Sequence, residues 1–155
     1  MKLLKRILLI VFVLLVFIQF IPNQKPPTSE DTKNDITISD NVKNDVATVI
    51  KTSCYDCHSN QTHYPWYAYV APVSWLVVSD VKEGRRKLNF SEWGLYDKRH
   101  KIKKLSDIKE EVDDNEMPMS IYTMIHRNAK LSESQKDMII KWSQDLGNSI
   151  LDKKE

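Results

Sequence analysis

Cys54-Tyr55-Asp56-Cys57-His58 is the stretch on which the reading of this chain turns. It holds both cysteines of the 155 residues, with a histidine directly after the second. Cysteine, two residues, cysteine, histidine is the spacing at which a c-type haem is attached to protein. Two thiols one helical turn apart reach the two vinyl groups of one porphyrin, and the following imidazole then points at the iron from the same side. A disulfide or redox dithiol uses the same cysteine spacing, but its thioredoxin-like form opens a helix after a strand, and no βαβ pattern surrounds this one. A zinc site needs a second pair of ligands at metal spacing, and His63, His100 and His126 show no such pairing. The expectation is one covalently attached haem c, held by Cys54 and Cys57, with His58 as the proximal iron ligand.

If His58 is one axial ligand, the other decides what the iron does. Met117 precedes Pro118 in a non-helical stretch between two helices, where a side chain can be aimed inward freely. Methionine there raises the reduction potential relative to a second histidine. Met119 and His126 are the alternatives, whereas Met124 and Met138 sit at spacings typical of core packing. Directly after the motif comes an aromatic set, Tyr64, Trp66, Tyr67, Tyr69 and Trp75. Such rings build small cores, and Trp66 and Trp75 are also candidates to cover a porphyrin. Arg85 and Arg86 are candidates for pairing with its propionates, although adjacent arginines more often face solvent.

The surrounding periodicity is helical. Val42, Val46, Val49 and Ile50 line one face, with Ser39 or Asp40 as N-cap. Pro72 suits the first turn of a second helix, with Val73, Leu76, Val77 and Val81 on one face. A third helix is expected from Asp97 to Asp114, with Ile102, Leu105, Ile108 and Val112 inward. A short one follows over Ile121 to Arg127. Ser132 and Gln135 form a capping box that opens the last helix, with Met138, Ile139, Trp142 and Leu146 buried and Gly147 at its end. With only three glycines and six prolines, the chain lacks the breaks of an all-β fold. The fold class is therefore all-α, a small domain of four to five helices over residues 39–147, with a charged tail at 148–155.

Toward the N-terminus, Ile7 to Ile21 is apolar except for Gln19, and it follows Lys2, Lys5 and Arg6. Basic residues before an apolar run of near-spanning length predict a membrane anchor over residues 1–22, with the rest on the extracytoplasmic, periplasmic side. A signal sequence has the same start and stands as the alternative for residues 1–22, although Gln19 to Gln24 lacks the small-residue cleavage pattern. Residues 23–38 are mostly polar, carry Pro26-Pro27, and predict a tether. Setting aside Lys2, Lys5 and Arg6 leaves 20 basic against 21 acidic residues, a poor balance for nucleic acid. The partners expected are haem, a membrane through the N-terminal helix, and an unidentified redox protein.

Cys54 to Asn60, Tyr64-Pro65-Trp66-Tyr67, Pro72-Val73-Ser74-Trp75, Glu83-Gly84-Arg85, Leu88-Asn89-Phe90-Ser91 with Trp93, Met117-Pro118, Tyr122 and His126 to Leu131 together resemble a known family. It is the small haem-binding domain of monohaem c-type cytochrome character, similar in pattern to class I cytochromes c. The resemblance runs from about Val46 to Trp142. It implies a cytochrome c-like all-α fold, haem on Cys54 and Cys57, iron ligated by His58, and Met117 where class I cytochromes keep their Met-Pro ligand. The function expected is that of a membrane-tethered electron carrier and not an enzyme. The alternative is a haem sensor or peroxidase-like protein with a displaceable sixth ligand.

Overall fold

The computed structural model describes residues 1–153, and every regular element in them is helical. In chain order the helices are α1 (Lys2–Phe17), α2 (Ile36–Ser39), α3 (Asn44–Ser53), α4 (Tyr55–His58), α5 (Val73–Lys87), α6 (Lys98–Asp113), α7 (Ser120–Ile125) and α8 (Glu133–Asp152). Single 3-10 turns lie at Ile18–Phe20, Trp66–Tyr69, Phe90–Leu95 and Arg127–Ala129. The five expected helices are present, and α2 and α4 are additional single turns.

Local chemistry explains most boundaries. Asp97 caps α6 by accepting from the His100 amide at 2.8 Å. Ser132 and Gln135 bond reciprocally at the start of α8, so two orphan amides are satisfied at once. The first core helix departs from expectation. The helix that carries Val46, Val49 and Ile50 is α3, and its N-cap position is Lys43, with no side-chain cap, rather than Ser39 or Asp40; Asp35 caps the separate single turn α2. Asn41 then adopts a left-handed φ of 48°, which ends the turn before α3 begins at Asn44.

α6 and α8 form the main helix pair, α3 lies across α8, and α4 lies on α5. Ile50, Phe90, Trp93, Leu105 and Ile139 are buried at the centre. Three further differences come from tertiary packing. The buried face of α5 is Ser74, Val78, Val81 and Gly84, while Val73 and Leu76 face water. Gly84 on that face allows an approach to α4 that a side chain would block. Gly147 does not end α8; it is buried inside the helix, which continues to Asp152 with Ile150 in the core. Its φ is not positive, so it lacks the conformation of a glycine cap.

Residues 23–38 lie along the domain rather than away from it. Asp35 and Ile36 are completely buried. Ser29 donates its amide to the Asn60 carbonyl at 2.7 Å, and the Tyr64 hydroxyl donates to the Pro26 carbonyl at 3.0 Å. One buried aliphatic residue at the end of a polar stretch is too little to show a period. α1 with its 3-10 turn, Lys2–Phe20, is long and apolar enough to cross a membrane, and none of it is buried. At 1.5 Å per residue it spans roughly 28 Å, close to a hydrocarbon core.

Candidate functional site

Cys54 ends α3, and the next four residues make the single turn α4. The His58 and Cys57 amides donate to the Cys54 carbonyl at 2.9 and 3.2 Å, so the two thiols and the imidazole are mounted on one hydrogen-bonded turn. Tyr55 anchors that turn from below. It is buried, stacks on Phe90 with centroids 5.4 Å apart, and donates its hydroxyl to Asp35 Oδ1 at 2.8 Å. Asp56 holds the opposite side, accepting from the Tyr122 hydroxyl at 2.7 Å and the His63 amide at 3.1 Å.

The key contact is between α4 and the C-terminal end of α5. His58 Nδ1 lies 3.0 Å from the Gly84 carbonyl and 3.2 Å from the Leu88 carbonyl. Both oxygens are acceptors only, so Nδ1 must carry the proton and Nε2 keeps its lone pair. Burial pushes the His58 pKa below its ordinary value, which favours the neutral imidazole a metal requires, while the two carbonyl bonds act in the opposite direction. This proximity depends on Gly84, because a Cβ there would stand 2.6 Å from the Cys57 carbonyl oxygen. Asn60, Asn89 and Ser91 tie the flanking segments together. The Asn60 amide donates to Ser91 Oγ at 3.0 Å, and Asn89 Nδ2 donates to Asn60 Oδ1 at 2.9 Å.

Beside this turn is a cavity of about 650 Å³, within the roughly 300–1,000 Å³ usual for bound small molecules and cofactors. Its apolar wall includes Ile50, Phe90, Ile108, Val112, Ile139 and Trp142, and Cys54, His58 and Met117 also line it. The end of α6 brings Met117 there. Asn115 takes a left-handed φ of 62°, its amide donates to the Val112 carbonyl at 3.2 Å, and the Glu116 amide donates to the Glu111 carbonyl at 2.9 Å. This is a Schellman turn, and the Met117 amide adds a bond to the same Glu111 oxygen at 3.0 Å. The mouth is cationic, with Arg86, Lys87, Lys103 and Lys104 beside His100, and Asp107 and Glu111 the acidic groups.

The remaining candidates from the sequence lie outside that lining. Trp66 is 78% exposed, and Trp75 is half-buried on α5. Arg85 donates to the Pro27 carbonyl at 2.7 Å and to Thr62 Oγ1 at 2.9 Å, fastening the N-terminal segment to the domain. His126 bonds the Tyr67 hydroxyl and stacks on Tyr122 at 4.4 Å, and Met119 is the N-cap of α7. Gly84, Phe90 and Trp142 belong to the site although residue type and spacing alone do not point to them. A glycine inside an otherwise helical apolar pattern is the signal that marks Gly84.

A haem suits this arrangement better than the plainer uses of the cysteines. Burial pushes the Cys54 thiol up to about 12 and the Cys57 thiol up to about 11, the opposite of what a reactive redox thiol requires. Among the described residues, no three His, Cys, Asp or Glu side chains converge to hold a metal ion, which removes a protein-only zinc centre. A large apolar cavity with one pre-oriented imidazole is what a porphyrin would fill. Comparison with curated proteins and with solved structures finds no match. The family model described as a haem-binding domain matches residues 13–145, which contain the whole cavity, and the chain is therefore a member of the haem-binding domain family.

Proposed function

We propose that this protein is a monohaem c-type cytochrome that carries electrons outside the cytoplasm while held to a membrane by α1. The observation that carries the reading is His58, whose Nδ1 is committed to the Gly84 and Leu88 carbonyls beside a cavity that Met117 also lines. When bound, haem supplies the one-electron iron couple. Cys54 and Cys57 would hold it covalently, and His58 and Met117 would ligate its iron. The two carbonyls orient His58 and raise its basicity as a donor. The apolar wall formed by Phe90, Ile139 and Trp142 excludes water, and the cationic mouth provides partners for the propionates. Export is supported by Lys2, Lys5 and Arg6 before the apolar helix and by the attachment motif, because covalent haem attachment in bacteria is completed outside the cytoplasm.

The test is the absorption spectrum of the ferrous protein, produced with haem-attachment machinery, before and after carbon monoxide. A six-coordinate spectrum that ignores the gas is expected. In Met117→Ala the gas should bind at once, with the haem still covalently attached. Met117 is carried by a turn after α6 and not by a helix, which favours one second reading, a sensor or peroxidase-like protein with a displaceable ligand. Rapid carbonyl formation in the unmodified protein would select it.

A further inference from the structure

Residues 66–76 expose an apolar surface that the cavity does not use. Trp66 and Tyr69 are largely exposed, and Val70, Val73 and Leu76 each leave more than two-fifths of their surface in water. Single apolar residues on a surface are ordinary, but five in one short turn and the first helical turns after it make a patch. α7 belongs to the same side, because His126 at its end bonds Tyr67, and its Ile121, Met124 and Ile125 are exposed as well.

The patch is fastened to the end of the apolar helix. The Gln19 side-chain amide donates to the Ala71 carbonyl at 3.0 Å, and its Oε1 accepts from the Ala71 amide at 3.0 Å. This two-bond clasp sets the last polar residue of the apolar run between Val70 and Val73. Lys25, just beyond the run, stands 3.5 Å from the centre of the Tyr69 ring. Tryptophan and tyrosine concentrate where a bilayer meets water, because an apolar ring and a polar tip are both satisfied there. A lysine at that level also meets anionic headgroups favourably.

We propose that residues 66–76, together with the exposed side of α7, are a lipid-docking surface that holds the haem-binding domain against the bilayer crossed by α1. This rests on α1 being retained as a membrane anchor. The clasp at Ala71 selects the bilayer as occupant, since it places the patch where the helix leaves the membrane. None of residues 66–76 lines the cavity, so the patch and the haem site are built from different residues.

The test uses the full chain with haem attached, in vesicles of phosphatidylcholine and phosphatidylglycerol doped with a phospholipid carrying a photoactivatable upper acyl chain. Adducts are mapped by mass spectrometry. Labelling of both α1 and residues 66–76 is expected. The Trp66→Ser, Tyr69→Ser, Leu76→Ser triple variant should lose the second set and keep the first, with haem absorption and helical dichroism unchanged. If the triple variant fails to fold, Trp66→Ser alone should lower the labelling of 66–76. Labelled α1 with an unlabelled 66–76 overturns the docking surface and leaves the anchor standing. Label on 66–76 without α1 removes the anchor and overturns the docking arrangement, which depends on the bilayer that α1 crosses. Label on neither overturns both, and crosslinking of 66–76 to a second copy of the chain overturns lipid as its occupant.

Discussion

Gly84→Ala tests whether the approach of α5 to the single turn α4 positions His58. At an unconstrained helix position this change stabilises by about 1 kcal/mol, because alanine is the better helix former. At Gly84 the new Cβ would meet the Cys57 carbonyl oxygen at 2.6 Å, its carbon at 3.1 Å and its Cβ at 3.2 Å. None of these is the end of a flexible side chain, so α4 and α5 must part by about 0.8 Å before ordinary contact at 3.4 Å is restored. The His58 bonds to the Gly84 and Leu88 carbonyls, now 3.0 and 3.2 Å, would then pass beyond hydrogen-bond reach. Overpacking costs about 1–3 kcal/mol and a lost hydrogen bond about 1 kcal/mol, against the roughly 1 kcal/mol helix gain. The net is a loss of about 1–3 kcal/mol, a fall in melting temperature of about 3–12 °C at roughly 3–4 °C per kcal/mol for a domain of this size. The assay is a thermal melt of the haem-loaded protein followed by haem absorbance and far-ultraviolet dichroism, together with its reduction potential. The potential should rise, since an imidazole without its Nδ1 bonds is a poorer donor to the oxidised iron. Gly147→Ala is the control, because its Cβ would meet only Leu105 Cδ1 at 3.9 Å, and it should stabilise by up to about 1 kcal/mol. A Gly84→Ala protein that melts higher, as the control does, with an unchanged potential, would refute the reasoning.

Other consequences can be measured directly. Tyr55→Phe removes a hydroxyl from the fully buried Asp35 carboxylate, which keeps its bonds from Thr37, and should cost about 1.5–3 kcal/mol in denaturant unfolding with little change in haem absorption. Arg85→Ala should speed amide exchange around Pro27 to Ser29 and leave the spectrum of the bound haem unchanged, since Arg85 clamps that segment and does not line the cavity. In the haem-free Cys54→Ala, Cys57→Ala chain, stability should depend on pH through His58. Its folded pKa lies below the ordinary 6.5, so between the two values the unfolded chain binds more protons. The His58 contribution is complete above about 6.5 and is lost as pH falls toward the folded value. The denaturant midpoint should therefore decline below that point, and adding His58→Gln should flatten the decline.

Wherever the information is local, the amino-acid sequence carries it. The motif from Cys54 to His58 is five consecutive residues, the capping box at Ser132 and Gln135 lies within one turn, and the α6 and α8 stripes repeat at helical spacing. An apolar run such as α1 declares itself by composition. Burial of Ile36 is not legible in this way, because one residue has no period. Nor is the rotation of α5, which turns Ser74 and Gly84 inward with Val78 and Val81 and leaves Val73 and Leu76 in water. That rotation follows from the space needed beside Cys57, and the pattern within α5 does not contain it.

The set of candidate ligands is readable from residue types, but which of them reach the cavity is a matter of chain path. Met117, Met119 and His126 are near neighbours in sequence, and a left-handed Asn115 after α6 sends only the first to the cavity wall. Trp66, Trp75 and Arg85 follow the motif closely, yet the turn after His58 carries them to other faces. The five residues from Cys54 to His58 determined by themselves that this chain offers two thiols and an imidazole on one turn. Which nitrogen of that imidazole remains free was decided by the end of a helix some 30 residues away, because a hydrogen bond depends on distance in space and not along the chain.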